Sequence, residues 1–312
     1  MTEILYPKQV ILEVTNHCNL RCKGCALHGP QAFTKRPKGF MPEEIWRKAI
    51  AEMGTWPQEV NLTTHGGGEP LLHPHLKEIL EFAGRFPNLK RGFLSNATLL
   101  TEDWADFLLS TGIDWIAFSI DGTVPETHAI VRRGSDLKKI EQNLLNFIQK
   151  GKKAHKRPQI MLNMVLYEEV KAQAQEFVKK WLPFVNVVML SHYRNPPCSK
   201  RWPGEHGPRR PCDLLWSQMV VAWDGSMGLC CEDFDIEVCL GDVRNEPLLA
   251  IWNNKAITKF RELHRQGRQQ ELALCHACDT WADMHAVTEE DRENGYLIVR
   301  KASSVEYRTL TP

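Results

Sequence analysis

Residues 10–25 read VILEVTNHCNLRCKGC: an apolar run, a polar turn, and cysteines at 18, 22 and 25. The run VILEVT (10–15) has the continuous apolar character of a buried strand. Cys18, Cys22 and Cys25 therefore sit in a turn directly after a strand. Thiolates are the usual protein ligands of iron–sulfur clusters. Three of them within eight residues can wrap one cubane. A cubane has four irons, so three thiolates leave one iron open to the amine and carboxylate of another molecule. A zinc site is the competing reading, with His17 or His28 as fourth ligand, although zinc favours paired Cys-x2-Cys spacing.

Outward from that stretch, strands and helices alternate. PEEIWRKAIAEM (42–53) reads as a helix with Pro42 at its start, and EVNLTT (59–64) as a strand ending in a glycine turn. HPHLKEILEFAGRF (73–86) is helical, KRGFLSN (90–96) a strand, and 101–110 a helix with Thr101 as N-cap. DWIAFSID (114–121) is a strand, and DLKKIEQNLLNFIQKG (136–151) an amphipathic helix closed by Gly151. QIMLNMVL (159–166), EEVKAQAQEFVKKWL (168–182) and FVNVVML (184–190) give strand, helix and strand. Such alternation predicts a parallel sheet in an α/β protein. Six units leave a partly closed barrel and an open sheet both possible on periodicity.

The Pro-, Gly- and Arg-rich stretch 194–211 breaks this rhythm and reads as a linker or loop. Beyond it, SQMVVAWDGSMGLCC has two apolar runs around Asp224-Gly225, a hairpin signal. Residues 247–267 read as one helix. The last 25 or so residues are polar and mixed, and they receive no assignment.

Composition narrows the class. The chain has 312 residues and a net charge of +1. That length suggests two domains or one long barrel. The near-neutral charge gives no global field toward nucleic acid or membrane. No run approaches the roughly 18 apolar residues of a membrane helix, and the N-terminus lacks a signal-peptide layout. The expectation is a soluble, cytoplasmic protein. Its ten cysteines are unevenly placed: three at 18–25, none at 26–197, seven at 198–278. In a reducing compartment such spacing points to metal or redox work rather than disulfides.

The spacing Cys18-x3-Cys22-x2-Cys25 resembles the signature of the radical S-adenosylmethionine (SAM) superfamily, and further motifs fall in the matching order. Gly67-Gly68-Glu69-Pro70 follows the second strand and resembles the turn that binds the SAM amino group. Ser95-Asn96 end the third strand, and Ser119-Ile120-Asp121-Gly122 the fourth. Both resemble ribose- and carboxylate-contacting positions. Arg133 resembles the arginine that meets the SAM carboxylate, with Arg132 as the competing choice, and Asn163 is a weaker match. One position departs from the pattern. Many relatives carry a bulky residue before the third cysteine, where this chain has Gly24, so adenine packing must come from elsewhere. The resemblance covers roughly residues 10–190. It implies a partial (β/α)6 TIM-type barrel, a SAM-binding [4Fe–4S] cluster, and reductive cleavage of SAM to a 5′-deoxyadenosyl radical that takes hydrogen from substrate. It also implies an external electron donor such as flavodoxin or ferredoxin.

A second cysteine group follows the linker. Twelve residues separate Cys212 from Gly225, four separate Gly225 from Cys230, and Cys275 and Cys278 close as Cys-x2-Cys. Four thiolates can ligate a complete cluster or a structural zinc. The Gly-x4-Cys spacing favours Cys230 over its neighbour Cys231. The pattern resembles the SPASM/twitch extensions of radical SAM enzymes. No cysteine follows Cys278, which implies the shorter twitch type with one auxiliary [4Fe–4S] cluster. The expected domains are the barrel at 1–195, the auxiliary domain at 196–285 and a tail at 286–312.

Cys198, Cys231 and Cys239 remain, and a buried inert thiol is the default for each. Cys198 falls just after the sixth strand, where barrel active sites gather. A thiol there can return a hydrogen atom to a substrate radical, which would make the enzyme an epimerase. Without a donor, oxidation of the radical would make it a dehydrogenase. The layout resembles the twitch-bearing dehydrogenases and epimerases of aminoglycoside biosynthesis, so the expected substrate is a small carbohydrate or aminocyclitol-like molecule. A maturase acting on a ribosomally made peptide is the alternative, and no recognisable leader-binding domain precedes the barrel. His65, His192, Arg194 and the basic loop to Arg210 are candidate pocket residues, with packed or solvated side chains as the competing reading.

Overall fold

The computed structural model describes residues 4–193, 207–284, 286–291 and 294–310. Cys198, Arg194 and the loop through 206 lie outside the described residues. Two compact units are present. One comprises the described residues within 4–18, 33–93 and 207–281; the other comprises those within 19–32, 94–193 and 282–310.

The alternation read from the sequence is realised as β1 (Gln9–Leu12), α1 (Glu43–Gly54), β2 (Val60–Thr63), α2 (Leu76–Ala83), β3 (Leu89–Ser95), α3 (Glu102–Ser110), β4 (Trp115–Ser119), α4 (Pro125–Val131), α5 (Leu137–Gly151), β5 (Gln159–Leu166), α6 (Ala174–Trp181) and β6 (Val187–His192). There follow α7 (Leu214–Ser217), β7 (Gln218–Val221), β8 (Ser226–Gly228), β9 (Cys239–Asp242), α8 (Leu248–Trp252), α9 (Lys255–Arg265), β10 (Val287–Asp291), β11 (Tyr296–Arg300) and β12 (Ser304–Thr309).

In the first unit β1 pairs in parallel with β2, and β2 with β3. On its other side β1 pairs in parallel with β7, with Gln9 opposite Gln218 and Leu12 opposite Val221. The predicted hairpin is β7–β8, antiparallel, turned at Gly225 with φ +92°. An L side chain rarely adopts that conformation. β9 extends the hairpin antiparallel to β8. The segment after Cys212 therefore builds directly onto the first strand of the chain. α1 packs Ile45, Trp46, Ala49, Ile50 and Met53 inward. Each such fully buried large apolar side chain is worth about 1.5–3 kcal/mol. Glu52 at the end of α1 accepts the backbone N–H of Leu248 at 2.8 Å and of Leu249 at 3.0 Å, and so caps α8.

In the second unit β4, β5 and β6 are parallel. The unassigned tail forms a ribbon: β12 runs antiparallel to β6, β11 to β12, and β10 to β11. Its polar sequence concealed this. Glu306 on β12 is buried, and Lys301 and Arg308 neutralise it.

Three other boundaries moved. The helix expected at 73–86 begins only at Leu76, after a 3₁₀ turn at Pro70–Leu72. His73 precedes Pro74 and takes an extended conformation, as a residue before proline tends to. The helix expected at 247–267 is two helices, because the Asn254 side chain accepts the N–H of Ala256 and of Ile257 and starts α9 afresh. The seven-residue α4, which starts on Pro125, was not read from the sequence. Among the described residues no helix is long and apolar enough to cross a membrane.

Candidate functional site

The strand-to-cysteine turn begins in the first unit. Thr15 Oγ1 donates to Gly39 O at 2.7 Å, and the Asn16 amide donates to Pro37 O and accepts from Gly39 N–H, both at 2.8 Å. These bonds fix the approach to Cys18. His17 stacks on Phe40 with ring centroids 4.7 Å apart. The glycine turn docks on the same stretch. Glu69 N–H donates to His17 O at 2.8 Å. A Cβ on Gly68 would stand 2.3 Å from His17 O and 2.7 Å from Thr15 O, both backbone atoms. Only glycine fits there. Gly67 donates its N–H to Glu13 at 2.9 Å. Glu69 is buried and accepts from Leu71 N–H at 3.2 Å, and Pro70 opens the 3₁₀ turn.

Glu13 is a residue the sequence reading missed. It is buried at the end of the first strand and pairs with Arg36 at 2.5 Å. It also accepts the N–H of Trp223, at 3.3 Å, from the hairpin loop. One carboxylate thus ties the glycine turn to the hairpin. An acidic residue inside an otherwise apolar strand run was the available signal. His65 is half-buried, and burial pushes it down to about 4.

Cys22 and Cys25 belong to the second unit and share a turn, with Cys25 N–H donating to Cys22 O at 3.2 Å. The Cys22 sulfur lies 3.9 Å from the Arg132 guanidinium. Burial pushes the Cys22 thiol up, and Arg132 pulls it partly back. Arg132 is paired with the buried Asp121 at 2.6 Å. Burial opposes its charge, but Asp121, Cys22 and Tyr167 together outweigh this and hold the guanidinium above its ordinary range. The other Asp121 oxygen accepts Val165 N–H at 2.7 Å, and the Asp121 carbonyl faces His128 Nδ1 at 2.9 Å. The sequence favours Arg133 over its neighbour, yet Arg132 turns inward, whereas the Arg133 side chain is exposed and its carbonyl accepts Arg21 N–H.

The remaining sequence-derived positions lie on the same unit. Ser95 Oγ accepts Ala97 N–H at 3.0 Å, and Asn96 donates to Asn19 at 2.9 Å while accepting from Thr98. Ser119 is buried at the end of β4, in register with Asn163, which accepts from Ser191 at 2.6 Å. A Cβ on Gly24 would meet Tyr193 at 2.4 Å and the Tyr167 hydroxyl at 2.6 Å. These two tyrosine rings are tilted at 39° to each other with centroids 4.6 Å apart. They fill the room that a bulkier residue at 24 would take. His192 ends β6 and is half-buried.

The second cysteine group lies wholly within the first unit. Cys212, Cys230, Cys275 and Cys278 line one cavity, walled by Leu214, Leu215, Leu229, Leu274 and Trp281. Cys231 is not among its lining residues. Burial pushes Cys212 up to about 12, and Cys278 and Cys275 add to it. Cys275 likewise rises to about 12, and Cys230 rises well above its ordinary value. The loop after Cys230 is shaped by buried Asp233, whose two oxygens take Glu237 N–H at 2.8 Å and Val238 N–H at 3.0 Å. The Arg209 guanidinium donates to the carbonyls of Cys275 and His276. Among the described residues no three or more His, Cys, Asp or Glu side chains converge on a single metal-ion position. The four thiols border a cavity rather than surround a point. The donor set and two orphaned buried nitrogens beside it, Arg209 Nε and His264 Nε2, suit a larger anionic group that accepts hydrogen bonds.

Comparison with known proteins agrees with these two regions. The radical SAM superfamily profile matches residues 12–180, and the SPASM profile, an iron–sulfur cluster-binding domain, matches residues 212–279. A protein of Pyrococcus furiosus, "Tungsten-containing aldehyde ferredoxin oxidoreductase cofactor-modifying protein", is 27% identical across 87% of this chain and 89% of its own length. GTP 3′,8-cyclase of Syntrophomonas wolfei is 26% identical, over 44% of this chain and 41% of its own. Among solved structures, BtrN in complex with AdoMet and 2-DOIA superposes with a TM-score of 0.61 at 16% identity, covering 88% of this chain and 93% of that one. Streptococcus suis SuiB bound to S-adenosylmethionine gives 0.65 at 13% identity, covering 89% and 72%. The likeness to the solved structures establishes a partial α/β barrel followed by a SPASM region. With the superfamily profile spanning more than half its length, this chain belongs to the radical SAM superfamily.

Proposed function

We propose that this radical SAM enzyme removes a hydrogen atom from a small polyhydroxylated molecule, sugar- or aminocyclitol-like, by dehydrogenation or epimerisation. The observation that carries the reading is the cavity in which Cys212, Cys230, Cys275 and Cys278 form one complete thiolate set. Four protein ligands leave no iron free for substrate, so this region suits passage of an electron, from a substrate radical or from an external donor such as flavodoxin or ferredoxin. The name of the Pyrococcus furiosus relative supports a small-molecule target, as does the 2-DOIA complex of BtrN. The domains proposed are those of the sequence: barrel 1–195, auxiliary domain 196–285, tail 286–312.

Cys18, Cys22 and Cys25 would hold the SAM-binding cluster, which with SAM supplies a 5′-deoxyadenosyl radical for the hydrogen abstraction. The residues around it divide the remaining work. Gly68 lets the backbone come close where a Cβ would strike carbonyls, and Glu69 offers a buried carboxylate to the SAM ammonium. Arg132, braced by Asp121, supplies the cation for the SAM carboxylate in preference to exposed Arg133. Ser95, Asn96 and Ser119 end strands where the ribose would lie. Tyr167 and Tyr193 supply the aromatic surface that Gly24 lacks.

Anaerobically reconstituted protein should form 5′-deoxyadenosine above background with some member of a panel of sugars and aminocyclitols. Turnover confined to peptides would replace this reading with the maturase; SuiB, solved with precursor peptide SuiA at a TM-score of 0.64, keeps that outcome in view. In deuterated buffer, loss of solvent deuterium from product in Cys198→Ala would assign epimerisation with Cys198 as donor. An oxidised product unaffected by that substitution would assign dehydrogenation.

A further inference from the structure

Among the groups that line the auxiliary cavity is the imidazole of His264. His264 sits in the last turn of α9 and is 2% exposed. Ile257, Arg261 and His264 form the buried face of that helix, at spacings of four and three. The face is clamped to the turn that carries Cys212. Arg261 Nε donates to Leu215 O at 2.8 Å, and Cys212 N–H donates to His264 Nδ1 at 3.2 Å.

That second bond fixes the tautomer. A backbone amide can only donate, so Nδ1 is the bare nitrogen of a neutral ring and Nε2 carries the proton. Nε2 is buried and has no hydrogen-bond partner among the described residues. Leaving a buried N–H unmatched costs about 1–3 kcal/mol, and folds seldom leave one so. A protonated Nε2 cannot ligate a metal, which rules it out as a fifth ligand. It can donate to sulfur.

We propose that His264 is a positioning residue of the auxiliary centre: its Nε2–H donates to a sulfur of the iron–sulfur cluster held by Cys212, Cys230, Cys275 and Cys278, and so raises that cluster's reduction potential. The proposal rests on the reading that these four thiolates hold such a cluster. Hydrogen bonds to cluster sulfurs favour the reduced, more negative state. The apolar walls strengthen the effect, because an N–H dipole is worth more where water is excluded. A neutral donor also raises the potential without putting another full charge beside Arg209. A centre tuned this way accepts an electron more readily, as the dehydrogenation arm of the proposed function requires.

The test uses full-length protein with Cys18, Cys22 and Cys25 all replaced by Ala, so that only the auxiliary cluster reports. This parent is compared with the same protein carrying His264→Leu or His264→Gln, by EPR-monitored redox titration. At the parent's midpoint, His264→Leu should lower the ratio of reduced to oxidised cluster about tenfold, about 59 mV for one electron. His264→Gln retains an N–H donor and should restore much of the loss. Independently, the parent labelled with ¹⁵N-histidine should show a nitrogen coupling to the reduced cluster by pulsed EPR, and His264→Gln should remove it. An unchanged midpoint in His264→Leu at full iron content overturns the proposal, as does the absence of coupling in the labelled parent. If His264→Leu does not load iron, the labelled parent decides alone. A parent that holds zinc and no iron overturns the cluster reading itself, and the proposal with it.

Discussion

Cys22 and Cys212 are both proposed cluster ligands, yet the fold surrounds them in opposite ways. Cys22 has a guanidinium 3.9 Å from its sulfur, and that cation is braced by a buried carboxylate. Cys212 has leucines, an indole and other thiols about it, with Arg209 and Glu232 in the lining of the same cavity, and burial drives it up to about 12. The difference follows from what each site is proposed to hold. A site that exchanges a zwitterionic ligand needs fixed charge of its own. A site closed by four thiolates needs mainly walls that exclude water, with a few donors such as Arg209 and His264 at its edge.

The largest effect that can break this comparison is loss of one site without the other. Cys22→Ala should abolish 5′-deoxyadenosine formation and reduce iron from about eight to about four per chain, as expected for two cubanes. Cys275→Ala should remove the other half of the iron and lower the melting temperature, because cluster binding is coupled to folding. If either variant loses all its iron, the two regions are not independent sites. Next in size is the charge pair beside Cys22. Arg132→Met strands the Asp121 carboxylate, whose side chain is 1% exposed, and should cost about 3–5 kcal/mol in denaturant unfolding. Adding Asp121→Asn should recover part of it. Without that recovery, the loss is one of packing rather than charge.

How far each site was legible in the sequence follows the same contrast. The cysteines, the glycine turn and the hairpin at Asp224-Gly225 declare themselves, since each is a residue type whose spacing or φ has few uses. The sequence points to Arg133 where Arg132 is the one that faces inward, because neighbours in sequence point apart and only the turn after α4 decides between them. Glu13, His264 and Glu306 were missed for one reason. Each is a polar residue on an inward position that a pattern of hydrophobicity counts as surface; the partners of Glu13 and His264 are distant in sequence, while those of Glu306 sit on its own ribbon. Tyr167 and Tyr193 were missed because their role is defined by Gly24, on a segment more than 140 residues away.

Two glycines sharpen the comparison at a smaller scale. In Gly68→Ala the new methyl meets backbone carbonyls that cannot move aside, whereas in Gly24→Ala it meets tyrosine side chains that can. Overpacking costs about 1–3 kcal/mol, and Gly68→Ala should lie at the upper end and Gly24→Ala at the lower. Gly24→Ala should weaken SAM binding by displacing the ring pair, measured by equilibrium binding to reconstituted protein. Unchanged affinity would mean that Tyr167 and Tyr193 do not contact SAM.

The smallest expected effect tests the electrostatic difference itself. A thiol must lose its proton to become a ligand, so raising its pKa above the working pH makes iron loading release protons and strengthen as pH rises. Cys212 and Cys275 stand at about 12 in the metal-free protein and are neutral at pH 7. Cys22 is also raised, but Arg132 opposes the shift. Between pH 7 and pH 9, iron bound at fixed free iron and sulfide should therefore climb more steeply in Cys22→Ala, which retains the auxiliary site, than in Cys275→Ala, which retains the triplet. Adding Arg132→Met to the second protein removes the opposing cation and should steepen its slope toward that of the first. Equal slopes in all three would mean that burial alone governs both regions, and that the guanidinium beside Cys22 serves the bound ligand and not the thiolate.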